Sequence, residues 1–260
     1  MNRLTTLFSS SSGNCTLISN DDTNILVDAG VSASGIISAL GELNLDICEI
    51  DAILVTHEHT DHIKSVGALS RKYNIPVYAN EPTMKAVLTA VGDLHDRNIV
   101  ITQNGCPFNI RSVDVVAFAI PHDAVSPVGY TVNLGNVKMS IATDTGHITK
   151  SMLMHMSKSD AVIIEANHDV DMVKKGKYPY VLKKRILSDI GHLSNENAAW
   201  LATQLALWGT KKIILGHMSE QNNIPELAYN AAYDKLIQNN IYPDRDVILK
   251  VAGKKTLCSV

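Results

Sequence analysis

Apolar and polar positions along this chain fall into short blocks that switch repeatedly between a period of two and a helical period. Residues 4–8 and 15–19 read as strands around the polar stretch Ser9-Ser10-Ser11-Ser12-Gly13-Asn14. Residues 24–27 follow the turn-rich Asn20-Asp21-Asp22-Thr23 as a hairpin partner. Ser32 predicts a cap for a helix reaching about Leu40, with Ile36, Ile37 and Leu40 on one face. Residues 51–55 form a short apolar strand, and beyond His62 the spacing Ile63, Val66, Leu69, Tyr73 is helical. Strand returns at 76–78, then a helix is expected over 81–91 with Pro82 in its first turn. Strands follow over 99–102, 108–110 and 113–120, then a hairpin of 128–134 and 137–142 turning on Gly135-Asn136.

The second half alternates again: strand 161–164 leading to Glu165, a basic segment, and a helix near 180–188. Gly191-His192-Leu193-Ser194 then precedes a helix from 195 to about 208, with Ser194 as its cap. Strand 212–215, helix 225–238 and strand 246–251 close the chain. Hairpin-rich strands interleaved with helices in both halves predict an α/β (α+β) fold of two mixed sheets packed together with helices outside. No linker or repeat divides the chain, so residues 1–260 are expected to form one domain.

Composition narrows the class without naming a function. Hydrophobic residues make up 45% and charged residues 19%, which is globular and not disordered. A net charge of -3 gives no global attraction to nucleic acid, so polyanion binding must come from a local patch or a metal. Cys15, Cys48, Cys106 and Cys258 are far apart with no C-x-x-C pair, which argues against a thiolate zinc site or disulfide scaffold and for a reducing compartment. The N-terminal residues lack the apolar core of a signal peptide, and no apolar run approaches the roughly 20 residues of a membrane span. The expectation is a cytoplasmic protein with no membrane partner; a homo-oligomer is compatible with the sequence.

Chemistry concentrates at Thr56-His57-Glu58-His59-Thr60-Asp61-His62, directly after the apolar run Ile53-Leu54-Val55. A loop at the end of a buried strand is held rigidly by the core behind it, which is where a metal site can be built. Several other strands also end on a donor: Asp28, His122, Asp144 and His217. Taken singly these are ordinary turn and surface residues; beside an H-x-H-x-D-H loop they become candidate ligands. Imidazole plus carboxylate suits zinc, manganese or iron. One tetrahedral ion needs about four ligands, and this surplus of donors favours two ions.

His57, His59, Asp61, His62, His122, Asp144 and His217, with Asp28, resemble the motif set of the metallo-β-lactamase superfamily, over most of the chain. That resemblance implies a four-layer αββα sandwich with two divalent metal ions between the sheets, zinc first and manganese or iron(II) after it. His57, His59 and His122 would hold one ion, Asp61, His62 and His217 the second, and Asp144 would bridge them. Asp28 would stand behind the ligands and orient one through hydrogen bonds. The implied reaction is hydrolysis by a metal-bridging hydroxide, with Asp61 also in a catalytic role. Iron-dependent redox members carry Glu where this chain has His59, so an oxidoreductase is not expected.

Further stretches resemble the YycJ/WalJ-like bacterial hydrolases, related to the transfer-RNA 3′-processing endonuclease tRNase Z and more distantly to RNase J. Ser10-Ser11-Ser12-Gly13-Asn14-Cys15 is similar to their loop before the second strand, with Ser10 in place of Gly; Ser11, Ser12 and Asn14 are candidates for holding phosphate oxygens. Ile164-Glu165-Ala166 and Asp189-Ile190-Gly191-His192-Leu193-Ser194-Asn195 resemble a paired Glu and His, in which His192, supported by Glu165, protonates the leaving oxygen. Lys174 to Arg185 holds six of the 23 basic residues with Tyr178 and Tyr180 interleaved, and Lys184 and Arg185 are candidates for tracking a strand. The resemblance implies a metal-dependent phosphodiesterase, a 5′-to-3′ exonuclease acting on nucleic acid with DNA as the expected substrate. The competing readings are a small-molecule hydrolase (cyclic phosphodiesterase, lactonase or thioesterase) and a binding module whose metal is structural.

Overall fold

The computed structural model describes residues 2–260. The six apolar strands up to Thr102, joined by one from the C-terminus, make one seven-stranded sheet, and the seven between make a second. In the first sheet β1 (Arg3–Phe8), β2 (Cys15–Ser19) and β3 (Asn24–Val27) are antiparallel neighbours. To them β4 (Ala52–Leu54), β5 (Val77–Asn80) and β6 (Ile99–Thr102) add in parallel. The second sheet repeats this plan. β7 (Pro107–Ile110), β8 (Val113–Ala119), β9 (Val128–Leu134) and β10 (Val137–Ala142) form a meander. Then β11 (Ala161–Glu165), β12 (Lys212–Gly216) and β13 (Ile248–Val251) continue in parallel. A short β14 (Cys258–Ser259) returns to pair antiparallel with β1.

Loops of two to eight residues join the consecutive antiparallel strands, whereas each parallel addition needs a crossover long enough for a helix. These are α1 (Ala33–Glu42), α2 (Thr60–Ile63), α3 (Val66–Tyr73) and α4 (Glu81–Val91) around the first sheet. Around the second are α5 (Lys150–Met156), α6 (Val170–Lys175), α7 (Tyr180–Ile186), α8 (Asn195–Leu207) and α9 (Pro225–Gln238). None of the described helices is long and apolar enough to cross a membrane.

Strand alternation sorts the core into three layers of contact. Leu54 of β4 and Ile163 of β11 face between the sheets, with Leu4, Ile25, Tyr130 and Ile214. Their neighbours Ile53 and Ile164 face outward, Ile53 onto Ile36, Leu40, Leu69 and Val87, Ile164 onto Met152, Leu201, Leu205 and Ala232. The architecture is therefore helix, sheet, sheet, helix, as expected. Because Glu165 is two residues beyond Ile163, the same alternation turns its carboxylate inward between the sheets. The ends of β3, β4, β8, β10, β11 and β12 open at one edge, since these strands run the same way within each sheet.

Some local expectations change. The helix read onward from Ile63 is two helices, because Ser65 gives its N–H to Ala29 O (2.8 Å) and its hydroxyl to Val31 O (2.5 Å) instead of continuing the ladder. The basic segment after Glu165 contains α6, capped by Asp169 on Met172 N, and α5 is capped by Thr149 on Met152 N. At six and seven residues these are too short for a readable period, and the two-residue β14 is held only by its pairing with β1. The last long strand starts at Ile248 and not at residue 246, because the Asp246 carboxylate accepts from Tyr242 N in a turn.

Candidate metal centre

The loop after β4 is tied down before it reaches its histidines. Tyr130 gives its hydroxyl to Val55 O (2.7 Å), and Val128 N donates to Thr56 O (3.0 Å), so the second sheet grips the end of a first-sheet strand. Asp28 then receives Thr56 N and the Thr56 hydroxyl, both at 2.8 Å. Gly30 passes so close to the loop that a Cβ there would lie 1.6 Å from Asp61 O. Only glycine allows that approach.

Two trios of donors result. His57, His59 and His122 bring three ring nitrogens together, with His57 Nε2 3.0 Å from His59 Nδ1. Asp61, His62 and His217 form the second, with Asp61 Oδ2 3.6 Å from His62 Nε2 and 3.7 Å from His217 Nε2. Asp144 lies between them. Its Oδ2 is 3.1 Å from His62 Nε2, and its Oδ1 is 3.4 Å from His217 Nε2 and 3.6 Å from His122 Nε2.

The tautomers can be worked out from the far side of each ring. Carboxylates and carbonyls only accept, so Nδ1 must carry the proton in His62 (2.7 Å to Asp28 Oδ2), His122 (3.1 Å to Gly191 O) and His217 (2.8 Å to Glu165 Oε1). The Thr56 hydroxyl donates to Asp28, so it accepts from His57 Nδ1 at 3.0 Å. Four imidazoles thus turn their Nε2 lone pairs toward one centre, the arrangement found behind metal-bound histidines. His122 Nε2, His217 Nε2 and Asp144 Oδ2 are buried without a hydrogen-bond partner among the described residues. Buried polar atoms left unpaired are costly, and divalent cations held by imidazole and carboxylate satisfy all three. The donor set fits divalent metal ions.

The charges of the centre act strongly on one another. Burial raises the Asp144 carboxyl, but His217 and His62 outweigh it and hold the group well below the usual carboxylate range. Burial lowers His217, yet Asp144, Asp61 and Glu165 push it up to about 10. His57, buried and beside His62, is lowered well below the ordinary imidazole range, which keeps its lone pair free. Asp28, Asp144 and His217 all sit in the left-handed region, at φ 62°, 58° and 52°. For non-glycine residues that conformation is uncommon and marks a constrained site.

Glu165 and His192 meet as the sequence suggests. His192 Nδ1 is 2.9 Å from Glu165 Oε1 and 3.6 Å from Asp144 Oδ1, at the edge of the centre. Glu165 Oε2 accepts from Thr145 N (2.8 Å) and Leu193 N (3.0 Å). Burial raises this carboxyl, but His192 and His217 bring it down to about 2. Burial lowers His192 while Glu165 outweighs it, so its pKa is raised.

The substrate-binding candidates are dispersed. Ser11 and Ser12 are exposed. Asn14 is buried, and its Nδ2 lies 3.1 Å from His62 Nε2, so its side chain contacts a candidate ligand instead of reaching solvent. Arg185 is bound to Asp123, the neighbour of His122, with Nη2 3.0 Å from Asp123 Oδ1. Lys184 lines a separate cavity of about 590 Å³ with Tyr180 and Leu187. Glu58 is outside the donor set and accepts from Val125 N (2.8 Å). Sequence reasoning missed Thr56, which joins Asp28 to His57, and Ser9, whose hydroxyl accepts from His217 N at 2.8 Å. No spacing rule could pair residues 208 positions apart.

Residues 23–218 match a family model described as the beta-lactamase superfamily domain. The chain is 40% identical over 222 residues to the exodeoxyribonuclease YycJ of Bacillus anthracis, covering 85% of this chain and 84% of that protein. It is 40% identical over 237 residues to the exodeoxyribonuclease WalJ of Streptococcus pneumoniae serotype 2 (strain D39 / NCTC 7466), covering 90% and 88%. The metallo-beta-lactamase fold protein YhfI from Bacillus subtilis superimposes with a TM-score of 0.73 over 99% of both chains at 15% identity, a likeness of fold.

Proposed function

The chain belongs to the beta-lactamase superfamily, and from that premise we propose that it is a metal-dependent exodeoxyribonuclease. The observation that supports this reading most directly is the Glu165–His192 pair beside Asp144, a proton donor set against a metal centre. A sugar alkoxide is a poor leaving group, so phosphodiester hydrolysis needs a positioned acid. The 40% identity to two proteins named as exodeoxyribonucleases points the same way. The subgroup resemblance adds the 5′-to-3′ direction, and the free cysteines fit a cytoplasmic setting.

His57, His59 and His122 would hold one divalent ion and Asp61, His62 and His217 another, with Asp144 between them. Zinc suits so imidazole-rich a set first, and manganese or iron(II) after it. Bound ions would supply a water of lowered pKa and stabilise charge developing on the phosphate oxygens. The protein's own groups do the rest. Asp28, Thr56, Gly191 O and Glu165 fix the ring orientations from behind. Glu165 holds the His192 Nδ1 proton, so Nε2–H is free to pass its proton to the leaving sugar oxygen. Arg185, steadied by Asp123, stands at the mouth beside His122 as a cation for the strand.

The test is degradation of 5′- and 3′-labelled single- and double-stranded DNA by protein loaded with zinc or manganese. Stepwise release of mononucleotides from the 5′ end is expected. Absence of DNA cleavage alongside fast turnover of a lactone or cyclic diester would sink the assignment.

A further inference from the structure

The serine loop has two sides. Through Ser9 and Asn14 it touches His217 and His62. Through Ser10, Ser12 and Gly13 it lines a different cavity of about 330 Å³, into which no residue of the metal centre projects. Lys64, Lys254 and Lys255 line the same space, and all three are exposed. They come from distant parts of the chain: Lys64 follows α2, whereas Lys254 and Lys255 lie between β13 and β14. Ser32, the cap of α1, adds the positive end of a ten-residue helix to the wall.

The loop is fixed and the charge is placed. Ser10 Oγ lies 2.9 Å from Ser12 Oγ and accepts from Ser12 N at 3.2 Å. Glu220 holds Lys254 at 2.6 Å, which positions one ammonium in the cavity wall. Lys64 and Lys255 add positive charge beyond what that carboxylate balances. Lysine ammoniums, hydroxyls and a helix N-terminus are donors, so the cavity suits an oxygen-rich anion. Its volume is at the low end of ligand cavities, enough for a phosphate group.

We propose that this lysine-lined cavity binds a phosphate of the DNA strand whose neighbouring diester lies at the metal centre, an inference that rests on the nuclease reading above. The phosphate could be the strand's terminal 5′-monoester or an internal diester, and the two are separable. Binding of short 3′-fluorescein-labelled strands, carrying either a 5′-phosphate or a 5′-hydroxyl, is measured by anisotropy with metal-loaded protein carrying His192→Ala, so that the strands stay intact, and cleavage is measured separately with His192 present. The variants are Lys64→Ala and the double Lys254→Ala/Lys255→Ala, each checked for an unchanged melting midpoint, with Lys64→Arg as rescue. Lys85→Ala, on the exposed face of α4, controls for general loss of charge.

Lys64→Ala is expected to weaken strand binding about tenfold, the loss of one charged hydrogen bond, and the double variant at least as much, while Lys64→Arg restores most of the Lys64→Ala loss and Lys85→Ala changes little. A loss confined to 5′-phosphorylated strands identifies the terminal group; an equal loss on both identifies an internal diester. Binding that the cavity variants leave within twofold, or that Lys85→Ala weakens as much, overturns the proposal. Lysine-dependent binding by a protein that cleaves no DNA keeps the cavity and removes the nuclease reading. Cleavage with lysine-independent binding does the reverse.

Discussion

Glu165 Oε1 lies 2.8 Å from Nδ1 of His217, and the same oxygen lies 2.9 Å from Nδ1 of His192. One atom therefore orients a candidate metal ligand and a candidate proton donor together. Its partner oxygen is fully engaged by Thr145 N and Leu193 N, so the carboxylate cannot rotate to serve one ring at the expense of the other. Position of the acid and position of the ligand are set by a single buried side chain.

Glu165→Gln should consequently damage two functions, where His192→Ala damages one. Loss of such a supporting group typically costs about 10–100-fold in metal affinity or activity. An amide also cannot accept on both sides: with its oxygen on the two backbone N–H groups, its NH2 faces the Nδ1–H of both rings, which adds about 1–3 kcal/mol of instability. Elemental analysis and kcat on DNA are the measurements. Glu165→Gln is expected to lower both metal content and kcat, and His192→Ala to lower kcat with metal content retained. Equal metal content in the two variants would break the link drawn between Glu165 and His217.

Glycine substitutions of opposite sign test how tightly the motif loop is packed. At Gly30 an added Cβ would meet Asp61 O at 1.6 Å and Asp61 C at 2.2 Å, both backbone atoms that cannot swing away. Gly30→Ala is expected to destabilise by about 1–3 kcal/mol or more, with loss of bound metal because Asp61 and His62 must shift. Gly41, within α1, has open space around its Cβ position. Gly41→Ala should stabilise by about 0.4–1 kcal/mol. Denaturant melts of the two variants check both signs.

Most of the fold was legible because strands and helices here alternate cleanly in period, and the first histidine loop announced itself by spacing. Asp28, His57, His122, Asp144 and His217 were legible as donors because each follows the end of an apolar block. What their residue types could not reveal is conformation. Asp28, Asp144 and His217 adopt positive φ where a reader expects glycine or asparagine, a strain of about 1–3 kcal/mol each offset by contacts from other parts of the chain. Those contacts, Ser9 to His217 and Thr56 to Asp28, join residues that no local pattern relates. The loop's resemblance to that of the YycJ/WalJ-like hydrolases makes Asn14 a candidate for holding phosphate; the structure buries it against His62.

Thiol chemistry should divide the four cysteines cleanly. Cys48 and Cys106 are exposed, while Cys15 and Cys258 are buried. Burial, with the Asp28 charge behind it, pushes the Cys15 thiol far up, so little thiolate forms, and the thiolate is the reactive species. Ellman's reagent is expected to titrate Cys48 and Cys106 in the folded protein, and Cys15 and Cys258 only after denaturant. Fast modification of Cys15 in the native state would contradict its place beneath the motif loop.

Acid should weaken the fold through His168, three residues beyond Glu165 and outside both donor trios. The ring is buried and its Nδ1 has no hydrogen-bond partner among the described residues. Burial lowers its pKa to about 4, with Glu165 opposing and His192 assisting. The sign follows from proton counts. Between the ordinary imidazole value of about 6.5 and the folded value, the unfolded chain binds a proton that the folded chain refuses, so stability falls as pH drops through that window. The full difference corresponds to on the order of 3 kcal/mol, complete below about pH 4. His168→Gln removes the titrating group whatever its own effect on packing. Denaturant unfolding of both proteins at several pH values is the check: the gap in stability between wild type and variant should shift in the variant's favour as pH falls from about 6.5 to 4. A gap that stays constant across that range would mean that His168 is not held neutral by the fold.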